Sequence, residues 1–214
     1  MIFGADSDVV LTKDNVATCA GCTMALETLA TLLAEPGDVF LIPAPYYSSF
    51  VDDINERAGV IAVGVPCDET LDRDAFEAAY EKVTKEGRRV RAVLFSSPNN
   101  PIGIVYKEDA VRHVIDFAMA HDLEIISDEI YAELTYGQKH VSIANIPGMY
   151  EHTILVNGFS KSYAMTGWRM GYVCGPQPII AQMTKLHQFG IMSAPTTSQY
   201  AAIEAMRNGD KDIE

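Results

Sequence analysis

The sequence has 214 residues, with 16 basic and 29 acidic side chains and a formal net charge of −13. A chain this acidic lacks the basic face that nucleic acid or an anionic membrane needs as its main partner, although an anionic small molecule feels only nearby groups and is not excluded. Hydrophobic residues make up 48% and charged residues 21%, the balance of a globular protein with enough apolar surface for a core.

Residues 1–6 carry an early acid and no basic segment ahead of an apolar run, so no secretory signal is read there. Residues 23–34 read as a helix, with Leu26, Leu29 and Leu33 on one stripe and Pro36-Gly37 ending it. Residues 39–42 and 60–65 are short apolar runs that read as buried strands. Residues 72–85 form an amphipathic helix with Phe76, Ala79, Tyr80 and Val83 inward. A strand at 92–95, a helix at 108–121 and a strand at 123–126 follow, with His113 and His121 read as surface residues of that helix. Strands at 153–156 and 171–174 come next, then helices at 178–189 and 197–207. The longest uncharged stretch, 186–203, is broken by Gln, Ser, Thr and Pro, so it is not read as a membrane span. Strands alternating with helices of this length predict an α/β fold with a mostly parallel sheet, read as one domain.

In such sheets ligands lie beyond the carboxyl ends of the strands. Four loops at those ends are rich in polar or aromatic residues. Lys161 follows a buried run, where loss of solvent makes an amine a better nucleophile toward an aldehyde, although a surface loop lysine is the plainer account. Asp128 could face a protonated ring nitrogen or simply cap a helix. Asn100 sits in an Asn-Pro turn, and it and Tyr131 could donate to a phenolic oxygen. Tyr47 could stack on an aromatic ring or serve the core. Arg169 comes eight residues after Lys161 and suits a phosphate. Residues 20–23 open a helix whose free amides bind anions, and Thr23 and Ser160 add hydroxyls.

The strings Ser97-Pro98-Asn99-Asn100-Pro101, Ser127-Asp128-Glu129-Ile130-Tyr131 and Phe159-Ser160-Lys161-Ser162-Tyr163-Ala164-Met165-Thr166-Gly167-Trp168-Arg169-Met170-Gly171 resemble the class I/II aminotransferases. These are enzymes of fold type I that depend on pyridoxal 5'-phosphate, related to aspartate aminotransferase. The resemblance spans nearly the whole chain, and residues 20–47 are also similar to aminocyclopropane-carboxylate-synthase-like members. It implies a mixed, mostly parallel sheet sandwiched by helices, the large cofactor-binding domain of that fold, over residues 1–214. It implies amino-group transfer between an L-amino acid and a 2-oxo acid through a Schiff base on Lys161, which then moves the α-proton. Asp128 would pair with the pyridinium nitrogen, Tyr131 and Asn100 with the phenolic oxygen, and Tyr47 with the ring face. Cys22 and Thr23, through their amides and the Thr hydroxyl, and Arg169 would hold the phosphate. Many relatives carry a serine three residues before the lysine, where this chain has Gly158; Ser160 is the candidate substitute. The family also has an N-terminal segment and a C-terminal small domain that this sequence lacks, so an incomplete chain with little or no activity of its own is expected. The resemblance further implies a homodimer, and the cytoplasm is the default location, without metal, nucleic acid or membrane.

Other readings remain open at this level. A C–S lyase or aminocyclopropane-carboxylate-synthase-like reaction uses the same core chemistry. A non-catalytic fragment of the same fold could serve as a binding module. Cys19-Ala20-Gly21-Cys22 also has the spacing of a thiol–disulfide oxidoreductase, which needs a lowered thiol pKa, whereas no second pair follows for a structural zinc site.

Overall fold

A computed structural model describes residues 9–209 together with Lys211 and Ile213. Residues 1–6, on which the leader reading was made, lie outside the described residues. The strands are β1 (Val16–Cys19), β2 (Val39–Ala44), β3 (Ile61–Pro66), β4 (Val90–Ser96), β5 (Glu124–Asp128), β6 (Thr153–Gly158) and β7 (Gly171–Cys174). The helices are α1 (Cys22–Leu33), α2 (Phe50–Asn55), α3 (Arg73–Lys85), α4 (Glu108–Ala120), α5 (Gln177–Ile191) and α6 (Thr196–Asn208). No helix among the described residues is long and apolar enough to cross a membrane.

The strands form one sheet in the order β1-β7-β6-β5-β4-β2-β3. β7 runs antiparallel to both β1 and β6, and the other neighbours pair parallel. The sheet is therefore mixed and mostly parallel, as expected, with helices on both faces. Alternation along β2 shows why its run is apolar throughout. Val39 and Leu41 join the core under α3 and α4 with Phe76, Phe95 and Phe117. Phe40 and Ile42 join the opposite core with Leu26, Leu29 and Ile54. A strand covered on both sides has no polar face to show.

The helix ends follow local chemistry. Asp72 accepts a hydrogen bond from the Asp74 amide at the start of α3, and Lys82 and Lys85 sit in its last turn against the negative end of the helix dipole. Pro178 lies in the first turn of α5, where a missing amide hydrogen costs nothing. Two short elements, β1 and α2, escaped the sequence reading. His121 also departs from it. Its ring is half-buried, stacked on Tyr80 with centroids 4.0 Å apart, and bonded to Glu77 at 2.7 Å. The end of α4 is packed against α3, so this histidine cements two helices; His113 is exposed as expected.

Candidate active site

The carboxyl ends of the central strands lie side by side. Ser96 of β4 is in register with Asp128 of β5, which is in register with Val156 of β6. Because β7 reverses direction, Cys19 at the end of β1 comes level with Gly171 at the start of β7, and Gly171 with Gly158. The start of α1 is thereby carried to the same edge. A cavity of about 160 Å³ opens there.

All nine residues singled out in the sequence line this cavity. Asp128 is its buried floor, and its Oδ1 accepts a hydrogen bond from the Ile130 amide at 3.2 Å. Burial pushes its carboxyl up to about 7; the Ile130 amide and Lys161 pull the other way, while Glu129 and Asp53 add to the rise. Lys161 stands in the turn beyond β6, its ammonium 5.7 Å from the centroid of the Tyr131 ring. Here the sequence reading is corrected: Lys161 is exposed, since it lies past the end of the buried strand at the mouth of the cavity. Asn100, from the loop after β4, donates to the Tyr131 hydroxyl at 3.4 Å. Tyr47 is partly open to solvent and packs edge-on to Phe50, with centroids 5.5 Å apart. Ser160 is half-buried, and its carbonyl accepts from the Thr166 hydroxyl.

The far end of the cavity presents donors and a positive charge. α1 has no side-chain cap, so its first amides, at Cys22 and Thr23, have no partner within the helix. Arg169 takes a left-handed backbone conformation, φ 50, and its Nη1 donates to the Thr166 carbonyl. Its guanidinium lies against Gly21, where any Cβ would overlap it. Gly171 presses on the same helix start: a Cβ there would fall 2.9 Å from the Gly21 carbonyl carbon. Gly158 is equally closed, since a Cβ would come 2.9 Å from the Met170 carbonyl oxygen. No side chain has room at 158, so the missing serine noted in the sequence goes with close backbone packing.

Asp53, Thr166, Ser96 and Phe50 line the cavity without having been singled out. Asp53 and Phe50 belong to α2, a helix too short to show a period. Their one sequence signal is their place just downstream of Pro45-Tyr46-Tyr47.

Cys19 is fully buried and pushed up to about 12 by that burial; burial likewise raises Cys22 well above the usual thiol range. A thiol–disulfide oxidoreductase needs the opposite, and this reading is set aside. Among the described residues no group of three or more His, Cys, Asp or Glu is placed to hold a metal.

The donor set suits a phosphorylated heteroaromatic aldehyde such as pyridoxal phosphate. An uncapped helix start, an arginine and a threonine hydroxyl meet a phosphate. A buried carboxyl that burial raises, against the pull of Lys161, accommodates the charge of a protonated ring nitrogen. Two donors, a flat aromatic ring and a primary amine complete the walls.

The sequence profile of the family described as aminotransferase class I and II matches residues 2–214. The chain is 37% identical to an aspartate aminotransferase of Geobacillus stearothermophilus, over 99% of this chain and 54% of that one. It is 36% identical to the putative aminotransferase YugH of Bacillus subtilis, over 99% and 52%. The fold superposes on the aspartate aminotransferase from Thermus thermophilus with maleate at a TM-score of 0.84 and 32% identity, covering 96% of this chain and 52% of that one. The chain spans about half the length of the curated relatives it matches.

Proposed function

Because the chain belongs to the class I and II aminotransferase family, we propose that it forms the pyridoxal-phosphate-binding domain of an aminotransferase acting on an L-amino acid and a 2-oxo acid. The observation that carries this is the meeting of Asp128 and Lys161, with seven other candidate residues, around one cavity.

When bound, the cofactor supplies an aldehyde that condenses with amino groups and a protonated ring that accepts electrons. Lys161 would be the amine that holds it covalently, and its Nζ would carry the α-proton. Asp128 would face the ring nitrogen and keep it protonated; burial raises this carboxyl, and a cation on the ring would lower it again. Tyr131 and Asn100, already hydrogen-bonded to each other, donate to the ring oxygen. Tyr47 covers the ring, Ser160 lines the turn that presents Lys161, and the Cys22 and Thr23 amides, the Thr23 hydroxyl and Arg169 hold the phosphate. Four unpaired thiols suit a reducing cytoplasm. Large apolar side chains left exposed at Phe189, Met192 and Tyr200 support assembly with a second copy.

The test is to titrate the chain with pyridoxal phosphate and reduce with borohydride. Cofactor fixed at Lys161 supports the reading; no fixation at that residue overturns it. Aspartate is the first amino donor to assay with a 2-oxo acid acceptor, because several relatives are named aspartate aminotransferases. Release of ammonia without an acceptor would instead favour the lyase reaction.

A further inference from the structure

Asp53 is an acid at the anion-binding end of the cavity, and its position asks for an account. It comes from α2, is half-buried, lines the same cavity as Thr23 and Arg169, and has its carboxyl held down by the nearby Thr23 hydroxyl. A carboxylate there has two effects on a phosphate. It repels the dianion through a partly desolvated medium. It also claims the single hydroxyl proton of Thr23, since an ionised carboxylate only accepts. A protonated Asp53 reverses both. The like charge is gone, and the carboxyl can donate to Thr23 Oγ1, which frees the Thr23 proton for another acceptor.

We propose that Asp53 is a positioning residue of the phosphate cup: it holds a proton at its carboxyl when a phosphate monoester binds, and through Thr23 couples binding to proton uptake. This rests on reading the cavity as the pyridoxal-phosphate site.

The groups around Asp53 make such a proton available. Asp52 lies beside it on α2. Glu27 faces it from α1, paired with Arg57 at 3.1 Å. Arg169 reaches it from the β6–β7 connection, Asp128 interacts with it from the end of β5, and Cys22 and Lys161 share the cavity. Burial, Asp52 and Glu27 raise the Asp53 carboxyl to about 6 against the opposing pull of Arg169 and Thr23. A phosphate dianion brought to Arg169 offsets that pull and adds a further negative charge, so the proton affinity of Asp53 rises on binding.

The experiment compares the chain with Asp53→Asn, measuring affinity for pyridoxal phosphate and for pyridoxal, which lacks the phosphate, across a pH series. Wild-type affinity for pyridoxal phosphate is expected to fall, relative to Asp53→Asn, by up to about tenfold per pH unit above about pH 6, the slope of one linked proton. Near pH 8 the variant is expected to bind at least about tenfold more tightly. Pyridoxal should show no such difference. Calorimetry of the wild type in buffers of different ionisation heat supplies a second readout that needs no variant. A phosphate monoester is already mostly dianionic above about pH 7, so greater proton uptake with pyridoxal phosphate than with pyridoxal there supports the proposal. Parallel pH curves for the two proteins, or an equal effect on pyridoxal, overturn it while the cofactor reading stands. Failure of both proteins to bind either compound overturns both.

Discussion

Asp128 and Lys161 reach one cavity from adjacent strands of the sheet, and the ammonium pulls down a carboxyl that burial has raised to about 7. An unfolded aspartate ionises near pH ~3.9. Between that value and the folded one, the native chain holds a proton that the unfolded chain has lost. The associated stability is complete below about pH 4 and drains away as pH rises through about 7. Asp128→Asn keeps the acceptor for the Ile130 amide and cannot ionise. The cofactor-free variant is therefore expected to be more stable than wild type near pH 8, by roughly 2–4 kcal/mol, and equal to it near pH 4. Urea unfolding at the two pH values checks this. Pyridoxal phosphate affinity should move the other way, because Asn leaves the ring nitrogen without its counter-charge.

Lys161→Ala is expected to retain the fold, since the side chain is exposed. Its loss should abolish cofactor fixation on borohydride reduction. Any transamination by an assembly containing the chain should fall by about 10²–10⁴-fold from the proton-transfer role alone. Mass spectrometry of the reduced protein and a coupled 2-oxo acid assay are the measurements. Fixation at another lysine in the variant would remove Lys161 from its proposed role.

Gly21→Ala puts a Cβ into the Arg169 guanidinium at a residue whose φ is +87. It is expected to cost about 1–3 kcal/mol in backbone strain, read as a lower urea midpoint. It should also weaken pyridoxal phosphate more than pyridoxal. Gly158→Ser is expected to destabilise without restoring a phosphate ligand, since its Cβ would lie 2.9 Å from the Met170 carbonyl oxygen.

Glu129, next to Asp128, is fully buried and has no contact with the cavity. Its Oε1 accepts from the hydroxyls of Ser127 and Ser142, both at 2.9 Å, and its Oε2 is bonded to His140 at 2.7 Å. This carboxyl ties residues 140 and 142 back to β5 and so fixes the loop that carries Tyr131. Glu129→Ala strands two buried hydroxyls and the half-buried His140 ring and is expected to cost about 2–4 kcal/mol. Equilibrium denaturation measures it, and unchanged stability would contradict the tie.

The strands were legible because both faces of the sheet are covered, which gives β2, β4 and β6 unbroken apolar runs at 39–44, 92–95 and 154–156. β1 was not, because it has four residues with a mixed burial pattern and, among the described residues, pairs only with β7. α2, at six residues, is too short to repeat a stripe. The site was legible where the motif strings named residues one by one. Asp53 lay outside those strings, and only the folding of α2 over the start of α1 brings it to Thr23 and Arg169. Lys161 was found for a reason the fold does not share, since its neighbours leave it open to water.

The pairing of β1 with β7 joins positions about 150 residues apart along the chain, and that distance sets an order of events. As the polypeptide leaves the ribosome, β3 to β6 can each align with a partner already made, whereas the strand that β1 pairs with emerges only with residues 171–174. Closing so long a loop is entropically costly and comes late. The helix start that follows β1 is thus held back from the sheet edge until synthesis is well advanced, so the ligand pocket is completed only after the rest of the sheet has been laid down.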